Sequence, residues 1–381
     1  MNRSYQYRLY PTKEQATSLH FLCRQACDLY NAGLQERREA WKMRRVSLSY
    51  YDQANQLKAI RKDDPQGIGL LNFSACQQTL RRVHKTYAAF FQRVKQGKGG
   101  FPRFKPYRRY RSLDFRFGDG ATLKDNRLVV QNVGPVKVKW HRPLPADVVI
   151  KAVVVTCDAT GKWFVCFQIE LPDTSPPIHT GPAVGIDLGL STLVALSTGE
   201  CIKPPRYHRQ AEKEIRRQQR HLARCTRGSY RRKDAVQHVA KTYAKITNQR
   251  KDFAHKLSAR LTKEHSLIAV EDLNVKGIAK SRLAKSMHDA GWSMLLSFLS
   301  YKALIAGSQV IAVEPYNTSQ ACSACGSIVK KDLSVRVHEC PDCGLVLDRD
   351  TNAARNILHR ALAAGALPSA VKTEVSDSYL G

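Results

Sequence analysis

No stretch of this chain is long and apolar enough to span a bilayer: its longest apolar runs, such as AVVV at residues 152–155, stop after a few residues. The opening MNRSYQYRLYP has no apolar core of the kind a secretion signal needs, so a cytoplasmic protein with no membrane partner is expected. Acidic residues are scarce. Only 32 Asp and Glu stand against 62 Lys and Arg, and the resulting formal charge of +30 exceeds what solubility requires. A polyanion would neutralise that excess, which puts nucleic acid first among the partners. Cysteine is not scarce, but its pattern argues against a disulfide framework: of 11 cysteines, four form two Cys-x-x-Cys pairs and the other seven are scattered singly. No internal repeat is present. With 381 residues, 43% of them hydrophobic, the chain has enough length and apolar content for two or three domains with buried cores.

Local patterns supply the first half. Thr12-Lys-Glu-Gln15 after Pro11 is a capping box, and Ala16, Leu19, Leu22, Cys23, Ala26, Leu29 and Tyr30 follow it at helical spacing. A second helix is expected from about Ser74 to Lys95, with Leu80, Val83, Tyr87, Phe90 and Val94 on its core stripe. Gln77, Gln78, Arg81, Arg82 and Lys85 are left for another face. The segment QGKGGFPRFKPYRRYRS, residues 96–112, then breaks helix with Gly and Pro and carries only basic charges, interleaved with four aromatics. Arg103, Lys105, Arg108 and Arg109 in that loop suit a phosphate backbone with stacked bases.

From about Leu113 to Leu171 the texture changes to short β-branched runs, RLVVQ, VKVKW, VVIKAVVVT and KWFVCFQIE, the last two separated by the turn CDATG. A small antiparallel sheet or barrel is expected there. The Pro-rich PDTSPPIHTGP, residues 172–182, places a boundary near residue 180. Beyond it, AVGIDLGLSTLVALS reads as strand, tight turn and returning strand. Residues 206–263 read as a helical pair with 18 basic against 4 acidic residues. SLIAVEDL and SQVIAVEP each read as a buried strand, with an amphipathic helix between them around Gly291 to Ala306.

Three acids stand out in this basic chain. Asp187 ends the strand-like VGID, Glu271 closes the apolar run LIAV, and Asp350 opens the helical pattern NAARNILHRAL. An ionised carboxylate at such a place is costly unless it is countered. Mg²⁺ held by a cluster of carboxylates supplies the countercharge through hard oxygen ligands, and two such ions would suit phosphodiester cleavage. Cys322-x-x-Cys325-Gly and Cys340-x-x-Cys343-Gly, separated by 14 residues, carry the spacing of a four-cysteine structural Zn²⁺ site. His338 lies nearby but is surplus to a filled tetrahedron. Asp348 is expected to cap the helix that carries Asp350.

Together GIDLG at 185–189, VEDL at 270–273, the two CxxCG units and DRDTNAARNI at 348–357 resemble the TnpB, or OrfB, family of transposon-encoded RNA-guided DNA nucleases, related to the type V CRISPR effectors. The likeness extends to YRLYPTKEQ, QQTLRRVHKTYAAFF and GFPRFK, so it covers most of the chain. It implies an α/β multidomain protein: a β-barrel at 1–10 and 113–180, a helical recognition insertion at 11–112, an RNase H-like (RuvC) nuclease domain at 181–317 and 346–381, and a zinc-ribbon insertion at 318–345. It further implies that Asp187, Glu271 and Asp350 form a Mg²⁺-dependent catalytic triad acting on double-stranded DNA beside a short adjacent motif. A guide RNA from the transposon end would be bound by one protein copy. Gln77 and Gln78 are candidates for reading that motif, since amide side chains pair bidentately with adenine. The alternatives are a nuclease-inactive RNA-guided repressor and a transposition accessory protein. A single-strand transposase is disfavoured because the chain has no His-x-His pair.

Overall fold

A closed seven-stranded barrel dominates the first half of the chain. The computed structural model describes residues 2–145, 148–172, 177, 179–273, 291–332 and 334–365, and its contacts divide into two units, Met1–Asp173 and Thr174–Gly381. The barrel strands are β1 (Asn2–Tyr10), β2 (Ser112–Phe117), β3 (Gly120–Lys124), β4 (Arg127–Val130), β5 (Gly134–Lys139), β6 (Val149–Cys157) and β7 (Trp163–Glu170), in the order β1-β5-β4-β3-β2-β6-β7. β1 closes the barrel by pairing β7 from Asn2↔Glu170 to Leu9↔Trp163 and β5 on its other edge. Alternation fills the interior: Trp163, Val165, Phe167 and Ile169 of β7 are buried, and the residues between them are not. The CDATG turn is held by the Asp158 carboxylate, which accepts from the amides of Thr160 and Lys162. The expected antiparallel arrangement has one exception, the short β2–β3 pairing, which is parallel.

Three helices enter between β1 and β2: α1 (Lys13–Arg44), α2 (Tyr50–Asp63) and α3 (Phe73–Lys95). The Thr12 capping box forms as expected, with Gln15 answering the N-cap amide. The stripe of α3 joins one core cluster with α1 and the barrel interior through Leu80, Val83 and Tyr87, whereas Phe90 is only partly buried and Val94 is exposed. α2, which the sequence reading did not single out, starts with a second capping box at Ser49. One residue assigned to the free polar face of α3 is not free. Arg82 pairs with Asp114 of β2 and lies 5.4 Å over the Tyr110 ring, so it ties helix to barrel.

The second unit is built on a five-stranded sheet of β8 (Ala183–Asp187), β9 (Val194–Leu196), β10 (Cys201–Ile202), β11 (Leu267–Glu271) and β12 (Gln309–Val313), in the order β10-β9-β8-β11-β12. β8, β11 and β12 run parallel, and β9 and β10 are antiparallel returns. The long basic pair α4 (Tyr207–Arg224) and α5 (Tyr230–Glu264) precedes β11, and α6 (Trp292–Ala306) precedes β12. Val184 and Ile186 face α5 and α6 through Leu257, Leu261, Leu295 and Leu299. The opposite face receives α7 (Arg349–Ala363), whose Ile357 and Ala361 pack on Leu267 and Ala269. Gly185 permits that approach: a Cβ there would sit 2.0 Å from the Ala354 carbonyl oxygen. β12, expected to be buried, is instead the half-exposed edge of the sheet. Between β12 and α7 lies a small two-stranded ribbon, β13 (Val337–Glu339) and β14 (Val346–Asp348). From ALAAGALPSAVKTEVSDSYLG onward the sequence loses helical periodicity, and residues 366–381 of it lie outside the described residues. Among the described residues, no helix is long and apolar enough to cross a membrane.

Candidate active site

Two of the three acids are placed by strand register. Ile186 of β8 pairs with Val270 of β11, so the next residues along these parallel neighbours are Asp187 and Glu271. Asp350 arrives as the second residue of α7, whose N-cap is Asp348: that carboxylate accepts from the amides of Asp350 and Thr351, each at 3.0 Å. The capping role expected of Asp348 is therefore present.

The Asp187 carboxyl feels the other two acids. Burial pushes the Asp187 carboxyl up to about 8, and the charges of Glu271 and Asp350 push in the same direction. Arg349 and the Leu188 amide act against them without prevailing. Burial also raises Glu271, which the Thr318 hydroxyl and Arg360 partly offset. The three side chains offer only hard oxygen donors, the ligand type Mg²⁺ takes, although their oxygens do not all lie within 4.8 Å of one another as the cysteine sulfurs do.

One side chain that sequence reasoning missed is Arg336, in the ribbon just before β13. Its Nη1 lies 3.9 Å from Asp350 Oδ1, and its Nη2 donates to the Ser191 hydroxyl at 3.0 Å, so it reaches from the ribbon to the acid cluster. Nothing local in SVRVHEC distinguishes it from a solvated arginine. The asparagines of TNAARNI were quoted only as part of a motif, and they have defined work. Asn352 and Asn356, both buried, donate to the Ala321 carbonyl at 2.7 Å each. Asn352 also accepts from the Ser323 amide, and Asn356 donates to the Thr318 carbonyl. They lock the first cysteine loop onto α7, in which Ala353 and Ala354 are buried as well.

The four cysteines converge, with all four sulfurs within 4.8 Å of one another. Cys322–Cys343 and Cys325–Cys340 are each 3.6 Å apart, close to the roughly 3.8 Å edge of a tetrahedron with zinc–sulfur bonds of about 2.3 Å. Both loops make the same turn: the Gly326 amide donates to the Cys322 carbonyl, and the Gly344 amide to that of Cys340. Both glycines adopt positive φ, 82° and 73°, as this turn requires. Hydrogen bonds from the Ser327 hydroxyl and amide pull the Cys325 thiol down to about 6, toward the thiolate that a metal binds. His338 is buried and contacts Lys331 rather than joining the sulfur cluster.

The remaining candidates lie in the first unit. Gln77 and Gln78 are half-buried on α3. Arg103, Arg108 and Arg109 are exposed on the basic loop, which is anchored to α1 by hydrogen bonds from Asn31 Nδ2 to the Lys105 carbonyl and from the Lys105 amide to Asn31 Oδ1. Lys105 turns its ammonium to within 4.9 Å of the buried Tyr30 ring, and burial lowers its pKa.

Comparison with known proteins adds three family profiles. One described as "Probable transposase" matches residues 166–282, one described as "Cas12f1-like, TNB domain" matches 292–357, and one described as "Helix-turn-helix domain" matches 1–45. In this chain the last segment holds one strand and one continuous helix. A Streptomyces pristinaespiralis protein named "Putative RNA-guided DNA endonuclease" is 36% identical, covering 100% of this chain and 94% of its own length. The Escherichia coli K12 protein "Putative RNA-guided DNA endonuclease InsQ" is 32% identical, over 76% of this chain and 75% of its own. Among solved structures, a Cas12f1–sgRNA–target DNA complex aligns with a TM-score of 0.59 at 13% identity, covering 94% of this chain and 98% of that one, a likeness of fold.

Proposed function

Because the chain belongs to the TnpB (OrfB) family, whose relatives include the type V effectors, we propose that it is an RNA-guided DNA endonuclease that cleaves double-stranded DNA by metal-assisted phosphodiester hydrolysis. The observation that supports this reading is the placement of Asp187 and Glu271 at neighbouring strand ends and of Asp350 at a helix start, near enough that the charges of Glu271 and Asp350 raise the Asp187 carboxyl.

The sheet order, with an antiparallel second strand beside a parallel first, fourth and fifth, supports an RNase H-like (RuvC) nuclease over residues 181–317 and 346–381. Asp187, Glu271 and Asp350 would hold two Mg²⁺. Bound there, the metal would supply Lewis-acid polarisation of the phosphodiester and acidify a water for attack. The chain's own groups do the positioning. The Thr318 hydroxyl holds one oxygen of Glu271, and Arg336 would bring a cation beside Asp350 where negative charge would develop on the phosphate, while the Asp348 cap serves the stability of α7. Zn²⁺ on Cys322, Cys325, Cys340 and Cys343 would be structural, folding the ribbon at 318–345 that carries Arg336.

The remaining roles follow the family. The barrel (1–10 and 113–180) and the helices inserted in it (11–112) would hold a guide RNA from the transposon end, one protein copy per complex. Gln77, Gln78 and the basic loop would meet nucleic acid beside the target. The test is to sequence the RNA that copurifies with the protein, program it against matched DNA with Mg²⁺, and compare Asp187→Ala. Cutting by the native chain, with RNA binding but no cutting by the variant, is expected. Cutting that survives Asp187→Ala would sink the assignment of the site.

A further inference from the structure

The barrel carries a cleft of about 750 Å³ between the tip of the β3–β4 hairpin and the segment that follows β5. That volume lies in the range of roughly 300–1,000 Å³ that holds small ligands. Its walls are chemically mixed in a particular way: Lys124, Asp125 and Asn126 on one side, and Trp140, His141 and Arg142 on the other. The aromatic wall is already fixed. Trp140 is half-buried, its Nε1–H donates to the Asn126 carbonyl at 2.9 Å, and its ring lies 4.7 Å from that of Tyr7. His141 packs 5.1 Å from the same tyrosine. The cation is fixed too, because the Arg142 guanidinium lies 4.2 Å over the Tyr5 ring. Asp125 and Asn126 hold the hairpin tip in the left-handed region, φ 49° and 57°, and the Asp125 carboxylate has no hydrogen-bond or ion-pair partner among the described residues.

An aromatic wall takes the face of a base, two cations take a phosphate, and a lone carboxylate takes a pair of donors. Among the bases only guanine presents two adjacent donors, N1–H and the N2 amino group, to a carboxylate. We propose that this cleft takes one unstacked guanine nucleotide of the bound RNA. The base lies against Trp140 and His141, its phosphate meets Arg142 and Lys124, and its donor edge meets Asp125. This rests on the reading that the chain binds RNA, and assigns a base-reading site to the barrel.

Ultraviolet irradiation of the ribonucleoprotein as purified, followed by digestion and mass spectrometry, reads the site directly. A guanosine adduct is expected on the peptide carrying Trp140, His141 and Arg142. Arg142→Ala is expected to weaken binding of the copurified RNA by about tenfold, the size of one lost stacking or phosphate contact. Asp125→Asn keeps a residue that tolerates the left-handed turn, and is expected to abolish the guanosine preference of the adduct. Adducts elsewhere with none in this peptide, an adduct of DNA or of another nucleotide, or native RNA affinity in both variants would overturn the proposal and leave the nuclease reading standing. A preparation with no RNA at all would overturn both.

Discussion

Gly185→Ala tests whether the contact between β8 and α7 sets the spacing of the catalytic acids. The added Cβ would stand 2.0 Å from the Ala354 carbonyl oxygen and 2.9 Å from both Leu358 Cβ and Leu358 N. The nearest of these is helix backbone, which cannot swing aside as a side chain can. Real Cβ contacts essentially never fall below 3.0 Å, so α7 must retreat from β8 by about 1 Å or distort. Asp350 lies one helical turn before Ala354 and moves with it, while Asp187, two residues beyond Gly185, stays on the strand. Overpacking of this kind costs roughly 1–3 kcal/mol of stability, and a 1 Å misplacement in a site costs on the order of 10²-fold in rate. Single-turnover cleavage at saturating Mg²⁺, run beside a thermal melt and RNA binding, separates the two effects. We expect a rate loss of about 10²-fold, with RNA binding intact. Gly99→Ala, at a position with nothing within 4 Å, is the neutral control. Cleavage within a few-fold of native, with an unchanged melt, would show that α7 does not register Asp350 against Asp187.

The cap and the neighbouring acid should separate cleanly: Asp348→Ala loses about 1 kcal/mol of stability in a thermal melt but keeps cutting, whereas Asp350→Ala keeps the cap and stops cutting, and equal loss of cutting in both would refute the division. Elemental analysis should find one zinc per chain. Cys340→Ser, or prolonged chelation, should remove it, unfold the ribbon and abolish cleavage because Arg336 is no longer held, while RNA stays bound; full activity without zinc would refute the link. The pH dependence follows from Asp187, whose carboxyl is raised from an ordinary 3.8 to about 8. A raised carboxyl favours the fold while it is protonated, so its contribution is present below about 4 and is lost as pH rises through about 8. The metal-free protein should therefore lose melting temperature across that window, and Mg²⁺ should restore more of it at pH 8 than at pH 6; a Mg²⁺ effect independent of pH would count against the carboxylate cluster.

What the sequence made legible was what one residue's own neighbours decide. Thr12 and Gln15 announce a cap because both partners lie within one turn, and the β6–β7 alternation shows which residues point inward. The acids were visible because a carboxylate directly after VGI or LIAV has no local compensation. What stayed hidden depends on pairing between distant segments. The closure of β1 on β7 joins residues some 160 positions apart, and no periodicity encodes it; only the family resemblance put residues 1–10 with the barrel. Arg82, left for the polar face of α3, and Lys105, assigned to nucleic acid, have partners that no local pattern announces, Asp114 and the Tyr30 ring. Exposure of β12 follows from its being last in the sheet order, although its composition matches that of a central strand.

The same distinction explains why a zinc-ligand pair runs straight into carboxylates at CPDCGLVLDRD. β14 leaves the second cysteine loop and ends at Asp348, which is also the cap of α7, so ribbon and helix share a residue. Asn352 and Asn356 return from that helix to the first cysteine loop, and Arg349 donates to the carbonyls of Asp332 and Val335 in the ribbon between. Ribbon and acid are therefore fastened twice, once through the chain and once through side chains. Loosening the second fastening without touching zinc or acid is the sharper probe: Asn352→Ala leaves the Ser323 amide without its acceptor, at roughly 1–3 kcal/mol for an unsatisfied group, while the Ala321 carbonyl keeps Asn356. If the ribbon's task is to carry Arg336 to Asp350, this variant should keep its zinc and its RNA, and lose cleavage rate in step with Arg336→Ala. A variant that holds zinc and cuts at the native rate would show that the ribbon's position does not matter to the chemistry.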